Sequence, residues 1–348
     1  MLKGLSWQRF VLGLLVAIPL IAFLFYRTNL KETWDALAEA NYAFLPGAFL
    51  LFASVIWLQA LRWRFLLKPL ADIQPQRLYP VISIGHFGNA VLPLRSGEIL
   101  RAIVLRQREG VSRMATLGTL AVERAIDGLT LAALLLVFVA FVDSSDRLRE
   151  ILLAGGILFG LVTMGLFTLA HWPRAAQRLA DQVIDRVPSG WRLNLRQWVA
   201  SFLTGTEALR RPGGIAAVVM ATGLFWVTVA GVYYIIGQAF DIQEGFGTYL
   251  LVTAAANLSL SVPSSQGGVG LFELSVRETL VFSGVDTPLA TAYALVLHAV
   301  LLFTMICVGL VSLWVLGASP GSMSEDAADE NENAEDRGAA SQPALPPR

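Results

Sequence analysis

The chain has 348 residues, of which 55% are hydrophobic and only 15% are charged, and its mean hydropathy is +0.60. A soluble fold of this length exposes more polar surface, so the composition excludes a soluble enzyme. The formal net charge is zero, but seven acids lie in the last 31 residues. The remaining body has 24 basic and 19 acidic residues, and this excess of positive charge is typical of a protein bound to anionic lipid.

Long apolar runs predict about six full transmembrane helices. Each run is close to the roughly 20 residues that a helix needs to cross the hydrocarbon core. The first run follows Lys3 and Arg9 and has no small-residue cleavage site after it, so we predict an anchor helix and not a signal peptide. In chain order, the predicted spans are residues 10–26, 43–61, 125–142, 151–171, 215–240 and 289–316.

Two further apolar stretches, residues 79–94 and 248–280, are interrupted by glycine, proline, asparagine and carboxylates. Such stretches are unsuited to lipid-facing helices, because their freed backbone groups need partners inside the protein or a wet cavity. We predict that they form re-entrant or broken helical hairpins. The predicted fold class is therefore an all-α polytopic membrane protein with two such hairpins.

The distribution of arginines predicts the topology. A crossing at residues 79–94 would put the five arginines of residues 95–113 outside and the basic residues of 62–77 inside, against the positive-inside bias. A hairpin that enters from the cytoplasm puts both groups inside. The inside segments then hold 18 basic residues and the outside loops hold four, so both termini are predicted to be cytoplasmic.

Residues 1–317 are predicted to form one transmembrane domain. Its largest polar insertion, residues 173–212, repeats apolar residues at helical spacing and predicts a pair of cytoplasmic interfacial helices. We interpret these helices as a structural bracket between the two halves, with a lipid-gating role as the alternative. Residues 318–348 are rich in acids and alanine and are predicted to be disordered.

The two interrupted stretches share an order of residue types. Each has an asparagine, a proline, a glycine and a glutamate, followed by an arginine one helical turn later. Corresponding interrupted segments are typical of transporters with inverted repeats, but the spacings differ, so the alternative is a chance pairing. The two sets are Asn89, Pro93, Gly97, Glu98 and Arg101, and Asn257, Pro263, Gly267, Glu273 and Arg277.

Charged residues near membrane depth indicate a binding site. A broken helix offers free N–H groups to a phosphate, and Arg95 and Arg101 add guanidinium groups that fit phosphate oxygens. Glu123 and Asp127 share a helix face, where their charges are costly unless they face a wet cavity or an opposite charge. The alternative for these acids is a buried ion-pair cluster with the arginines of residues 95–113.

No residue pattern in the sequence indicates catalysis. It contains no metal-ligand spacing, P-loop or nucleophile elbow, so neither a cofactor nor a metal is expected, and we predict that the protein is not an enzyme. His298 has no carboxylate near it in the sequence and is interpreted as structural. His86 lies in the first interrupted stretch and is a candidate for titration.

The motifs at residues 85–101, 122–128 and 263–273 resemble those of the lysylphosphatidylglycerol synthase transmembrane family, also called the flippase-like domain family. The likeness covers roughly residues 11–316. It implies a bacterial inner-membrane protein whose domain moves lipids between leaflets. Fused members of the family flip aminoacylated phosphatidylglycerol that a separate cytoplasmic transferase domain makes. This chain departs from them in its acidic tail and lack of an aminoacyltransferase domain, so lipid synthesis is not expected.

The resemblance and the charge pattern together define a candidate site. Most of its residues match the family's motif positions, and Arg277 is added through its helical spacing from Glu273. The candidate substrate-binding residues are Asn89, Arg95, Glu98, Arg101, Glu123, Arg124, Asp127, Glu273 and Arg277. The candidate structural residues are Pro93, Gly97, Pro263, Gly267, Gly268 and Gly270.

We expect a lipid flippase or transporter that acts on a membrane phospholipid or a lipid-linked headgroup. The alternatives are a membrane subunit or enzyme that acts on polyprenyl-linked sugars beside a glycosyltransferase, and a structural scaffold. The expected partners are the lipid and a lipid-modifying enzyme or glycosyltransferase, and not nucleic acid. Because the site holds acids and arginines, we predict a preference for headgroups of both signs, unless these groups pair with each other.

The topology is testable with reporter fusions at residues 190 and 325. Both positions are predicted to lie in the cytoplasm, because that arrangement keeps most arginines inside. A cytoplasmic reporter is expected to be active, and a periplasmic reporter inactive, at both positions. An outside signal at either position would contradict the cytoplasmic entry of the first hairpin.

Overall fold

The computed structural model describes residues 28–92, 96–141, 146–187, 189–210, 212–260 and 266–317. These residues form α-helices and short 3-10 turns and no strand, which confirms the predicted all-α class. The predicted first span and the acidic tail lie outside the described residues. The helices are α1 (Leu30–Glu39), α2 (Leu45–Leu67), α3 (Pro75–Val91), α4 (Gly97–Glu109), α5 (Arg113–Phe141), α6 (Asp146–His171), α7 (Pro173–Ile184), α8 (Ser189–Gly205), α9 (Pro212–Ala239), α10 (Phe246–Ser259), α11 (Leu271–Phe282) and α12 (Thr287–Val315).

Three stretches of the described chain are long and apolar enough to cross a membrane: Tyr42–Leu67, Gly214–Ala239 and Thr287–Val315. They correspond to α2, α9 and α12, each of which has a proline in its first turn, where the missing N–H costs no helical hydrogen bond. The predicted spans at 125–142 and 151–171 fall on α5 and α6, which have 29 and 26 residues. The chain is thus a polytopic membrane protein.

The two interrupted stretches form two helical hairpins, α3 with α4 and α10 with α11. These helices have 17, 13, 14 and 12 residues. At about 1.5 Å per residue, even the longest reaches only about 26 Å, which is less than the hydrocarbon thickness. The prediction of a broken hairpin is confirmed for the second stretch. The first hairpin is longer than predicted, because residues 75–91 form one helix and the second limb is α4, which the arginine distribution places in a cytoplasmic segment. None of these four helices spans a bilayer alone.

The two hairpins approach each other from opposite ends of α12. At the far end of the first hairpin from its tip, the Arg108 guanidinium donates to the carbonyl of Leu316, just after α12 ends. The second hairpin runs directly into the start of α12 through residues 283–286. At its tip, Gly267 lies beside both Leu302 in the middle of α12 and the carbonyl of Ala90 near the end of α3. The hairpin tips therefore meet at the centre of the molecule, as expected of an inverted pair.

Two hydrophobic cores lie on either side of this meeting point. One core joins α9 to α12 with the first half of α2, through residues such as Phe52 and Tyr233. The other joins α3 to α6 with the second half of α2, through residues such as Trp63 and Leu78. Because α2 contributes to both cores, it connects the two halves of the protein.

Glycines allow the helices of the first hairpin to come into backbone contact. A Cβ atom at Gly97 would overlap the carbonyl oxygen of Gly85 and would lie 2.6 Å from the Asn89 side-chain oxygen. That oxygen accepts a hydrogen bond of 2.9 Å from the Gly97 N–H. The motif residues Asn89 and Gly97 are thus structural residues that close the hairpin tip.

The polar insertion contains the two short helices α7 and α8. Arg196 on α8 pairs with Asp181 and Asp185 at the end of α7, at 3.1 and 2.6 Å. A Cβ atom at Gly205 would overlap the carbonyl oxygen of Ala115, so α8 packs closely against α5. This packing supports the bracket interpretation, whereas the position of the helices at a membrane surface stays a prediction.

Substitution of Gly97 by alanine tests the close approach of α3 and α4. The added methyl group cannot fit without separating the helices, and overpacking of this kind costs at least about 1–3 kcal/mol. We expect a clear fall in the Tm of the detergent-solubilised protein. Gly223→Ala is the matched control, since a Cβ atom there meets nothing within 4 Å. Equal Tm values for the two variants would contradict the described hairpin.

Candidate functional site

A network of buried ion pairs is centred on Glu123 of α5. One carboxylate oxygen lies 2.8 Å from the Arg62 guanidinium, 3.0 Å from that of Arg124 and 2.6 Å from the donating amide of Gln59. The other oxygen lies 3.1 Å from the Arg101 guanidinium. The side chains of Arg62 and Arg101 are 1% and 5% exposed. The network therefore ties α2 and α4 to α5 through one carboxylate.

Asp127 extends the network by one helical turn. Its carboxylate lies 2.5 Å from the Arg62 guanidinium and accepts a hydrogen bond of 3.2 Å from the Trp226 indole N–H. Arg124 approaches it at 3.5 Å. Three arginines thus face these two carboxylates, and Glu98, which interacts electrostatically with Arg101 and Arg124, is the third acid of the group.

Aromatic rings cover two of the buried guanidinium groups. The guanidinium carbon of Arg101 lies 4.1 Å from the ring centre of Trp63, and that of Arg62 lies 4.7 Å from the ring centre of Phe225. Such cation–π contacts strengthen when the cation is shielded from water. They help to hold both arginines inside an otherwise apolar helix packing.

The structure corrects the position predicted for Arg62. The sequence placed it in a cytoplasmic segment after a span that ended at residue 61, but α2 continues to Leu67 and buries Arg62. The pairing of Glu123 and Asp127 with arginines supports the ion-pair alternative for these acids. Among the described residues of the segment proposed for it, Arg101 is the arginine that pairs with these acids. A signal was present in the sequence, since Gln59, Arg62 and Trp63 share one face of an apolar helix.

A cavity of about 130 Å³ lies where the two hairpins meet. Both hairpins and α2, α5, α9 and α12 contribute to its wall. The polar part of the wall consists of Gln59, His86, Asn89, Glu98, Arg101, Arg124, Asp127, Tyr233, Asn257 and His298. The apolar part includes Phe52, Val55, Ile82, Phe225, Val229, Leu260, Phe272, Leu301, Leu302 and Met305.

Arg124 is the cation of the cluster that remains accessible from the cavity. Its side chain is 46% exposed, compared with 1% for Arg62 and 5% for Arg101. Glu98 also lines the cavity and interacts electrostatically with Arg124. An incoming anionic group therefore meets Arg124 first, with the buried arginines behind it.

The second hairpin contributes a buried pair of its own. The His298 ring on α12 lies 2.8 Å from a carboxylate oxygen of Glu273. The other oxygen of Glu273 accepts a hydrogen bond of 2.7 Å from the Gly270 N–H at the start of α11. The prediction that His298 has no carboxylate neighbour is wrong, because the two residues are 25 positions apart in the sequence. Nothing in the local sequence indicates this contact.

The glycines of the second motif adopt backbone conformations that side chains rarely allow. Gly267, Gly268 and Gly270 have φ values of 66°, 80° and 92°, in the left-handed region. Gly267 and Gly268 also line the cavity. Their predicted structural role follows from these angles.

The remaining candidate residues fall into two groups. Arg277 is buried, forms an ion pair with the adjacent Glu278, and is not among the residues that line the cavity. Arg95, Pro93 and Pro263 lie outside the described residues. Within the described part of the chain, no group of three His, Cys, Asp or Glu side chains is arranged to hold a metal ion.

These features define an integral membrane protein with a polar site between two inverted hairpins. Residues 10–309 match the family described as the lysylphosphatidylglycerol synthase TM region. The chain therefore belongs to this family, as the motifs of the sequence indicated. Comparison with the solved structures yields no significant match.

Several proteins from archaea are similar to this chain in sequence. A protein named glycosyltransferase AglD from Haloferax volcanii is 26% identical over 92% of the chain. The match spans only 56% of that relative's length. A UPF0104 membrane protein from Methanothermobacter thermautotrophicus is 27% identical over 82% of the chain and 86% of its own length. One from Archaeoglobus fulgidus is 23% identical over 76% of the chain and 84% of its own length.

Replacement of Arg62 by alanine tests the buried network. It leaves Glu123 and Asp127 without the buried one of the two cations that they share, and the loss of one partner of a buried pair costs about 3–5 kcal/mol. We expect a large fall in the Tm of the purified protein. Arg64→Ala is the matched control on the same helix, because Arg64 is 40% exposed and pairs with the exposed Asp72. Its ion pair is worth about 0–1 kcal/mol, so similar losses in the two variants would contradict the network.

Proposed function

We propose that the protein moves a phosphate-bearing lipid between the two leaflets of a bacterial inner membrane. The observation that carries this proposal is the cavity at the meeting point of the two hairpins, which is lined by both polar and apolar side chains. A lipid likewise combines a polar headgroup with apolar chains. The hairpins enter from opposite ends of α12, so the cavity lies at a depth that either leaflet can supply.

The half-exposed guanidinium of Arg124 favours a phosphate. It lies at the cavity surface beside the carboxylate of Glu98, while the buried arginines behind it are paired with Glu123 and Asp127. A guanidinium group binds phosphate oxygens with two parallel hydrogen bonds. A phosphate held there replaces the water that the half-exposed side chain of Arg124 otherwise contacts.

Because two of the acids are paired with arginines, we can specify which part of the headgroup the site binds. Glu123 and Asp127 are already neutralised by arginines, so they are not available to a headgroup amine. Glu98 is the carboxylate of this hairpin that lines the cavity beside Arg124. The phosphate is therefore the required feature of the headgroup, and an amine is a secondary one that Glu98 would meet.

A second candidate function is the binding of polyprenyl-linked sugars for a glycosyltransferase. It is favoured by the similarity to the protein named glycosyltransferase AglD, although that match covers 56% of the relative. Such lipids also have a phosphate next to a long apolar chain, so the same cavity suits them. A phospholipid and a polyprenyl phosphate sugar are distinguished by supplying each one to the reconstituted protein.

The role of Arg124 is testable in proteoliposomes that contain fluorescent phosphatidylglycerol, with movement between leaflets followed by chemical quenching of the outer leaflet. A hydrogen bond to a charged group is worth about 1.5–3 kcal/mol, so Arg124→Ala is expected to slow movement about 10- to 100-fold. Arg124→Lys retains the charge and is expected to lose less. Arg64→Ala, which changes an exposed arginine outside the cavity, serves as the control.

Two outcomes of this experiment would count against the proposal. Lipid movement at the same rate with Arg124→Ala would remove the proposed phosphate contact. Wild-type protein that moves neither phosphatidylglycerol nor a polyprenyl phosphate sugar would contradict lipid transport. Chemical turnover of the sugar lipid by the purified protein would instead support an enzyme.

A further inference from the structure

The His298 ring lies between two hydrogen-bond acceptors. Its Nδ1 atom is 2.8 Å from the carboxylate of Glu273, and its Nε2 atom is 3.0 Å from the carbonyl oxygen of Gly267. A carbonyl oxygen accepts hydrogen bonds and cannot donate one. A proton on Nε2 is therefore needed for the Gly267 contact, and another proton is needed between Nδ1 and Glu273.

This geometry requires one proton more than a neutral imidazole and an ionised carboxylate contain. A neutral imidazole has a single N–H, so it satisfies one of the two contacts and turns a lone pair towards the other oxygen. The extra proton gives either an imidazolium beside a carboxylate or an imidazole beside a carboxylic acid. Both forms satisfy both contacts, so the pair binds this proton as a unit.

Loss of the proton changes the contacts of residues in the wall of the cavity. One of the two contacts then becomes repulsive, either at Glu273 or at Gly267. Glu273 holds the start of α11 through the Gly270 N–H, and Gly267 and His298 themselves line the cavity. The three glycines of this turn have left-handed backbone angles, and they link the pair to the tip of the second hairpin.

The other described charged side chains of the second hairpin and of α1 are either paired or exposed. The charged side chains of α1 are exposed, and Arg277 pairs with Glu278. His86 of α3 faces the Gln59 amide oxygen at 2.7 Å. The described titratable or charged groups that line the cavity or contact its lining include Tyr233 on α9, Tyr293 on α12, Glu98 and Arg101 on α4, Arg124, Glu123 and Asp127 on α5, and Arg62 on α2.

On the basis of the proposed lipid movement, we propose that the His298–Glu273 pair is a proton-binding site and that one proton accompanies each phosphate-bearing lipid through the cavity. The deprotonated pair has a net negative charge, and so has the lipid phosphate. Two such charges at the wall of one poorly hydrated cavity disfavour each other. Binding of the lipid therefore promotes proton uptake, and by reciprocity proton uptake promotes lipid binding.

The proposal is tested with the full chain and with phosphatidylglycerol, whose phosphodiester does not titrate near neutral pH. In detergent, a short-chain form is added to the protein in weakly buffered solution that contains a pH indicator. We expect up to one proton to be taken up per lipid bound, and lipid affinity to change by up to about tenfold per pH unit where the pair titrates. In proteoliposomes, an acidic donor side is expected to accelerate lipid movement.

Substitution of either residue of the pair tests whether the proton binds there. With His298→Gln, the imidazole is lost, so we expect lipid binding without proton uptake and without the pH dependence. With Glu273→Gln, the imidazole remains but loses the carboxylate that favours its protonated form, so we expect the pH dependence to move to lower pH. His171→Gln changes an exposed histidine at the end of α6 and is the matched control, which is expected to behave as wild type. If one variant fails to fold, the other variant and the proton uptake of the wild-type protein still test the proposal.

The results separate this proposal from the proposed function. Wild-type lipid movement that is independent of pH, with no proton uptake on binding, would overturn the proton site alone. Loss of the uptake with His86→Gln but not with His298→Gln would also overturn it, because the proton would then belong to the first hairpin. Absence of lipid movement at every pH would overturn lipid transport and the coupling with it.

Discussion

The rest of the structure depends on the ion pairs of the buried Glu123 carboxylate. This carboxylate joins Arg62 of α2, Arg101 of α4 and Arg124 of α5 in a place that is nearly closed to water. A buried carboxylate without these partners is very costly, and so is a buried arginine such as Arg101 without its carboxylate. The helices are consequently held in the one arrangement that satisfies all four charges, and that arrangement turns Arg124 towards the cavity.

Close helix contacts at small residues complete the frame around this cluster. Gly97 brings α4 against α3, and Gly205 brings α8 against α5. Gly309 of α12 leaves room for Phe87, whose ring would lie 3.1 Å from a Cβ atom there. Small residues at such contacts are typical of membrane helices, where close packing and not the exclusion of water drives association. The first hairpin is thereby fixed against α12, and its tip reaches the second hairpin.

Much of the fold follows from the sequence, because hydrophobic length and helix-breaking residues act locally. Runs of about 20 apolar residues predict α2, α9 and α12, and the prolines and glycines of the interrupted stretches predict the two hairpins. The paired carboxylates Glu123 and Asp127 were recognisable from their four-residue spacing. Their burial among arginines was one of the two interpretations that the sequence left open.

The partners of these residues were less predictable, because they come from distant parts of the chain. Arg62 meets Glu123 across 61 positions, and a span that ended at residue 61 assigned it to the wrong environment. His298 meets Glu273 across 25 positions, and the spacing rule within a helix had paired Glu273 with Arg277. Periodicity describes which residues share a face of one helix. It does not describe which faces of two helices meet.

The central claim is that a lipid phosphate occupies the cavity between the hairpins, in contact with Arg124. The most direct measurement is a cryo-electron microscopy structure of the protein in nanodiscs of phosphatidylglycerol. We expect a lipid with its phosphate within hydrogen-bonding distance of the Arg124 guanidinium and its chains against apolar lining residues such as Phe225 and Leu301. A cavity filled only with water, with lipids confined to the outer surface of the helices, would contradict it.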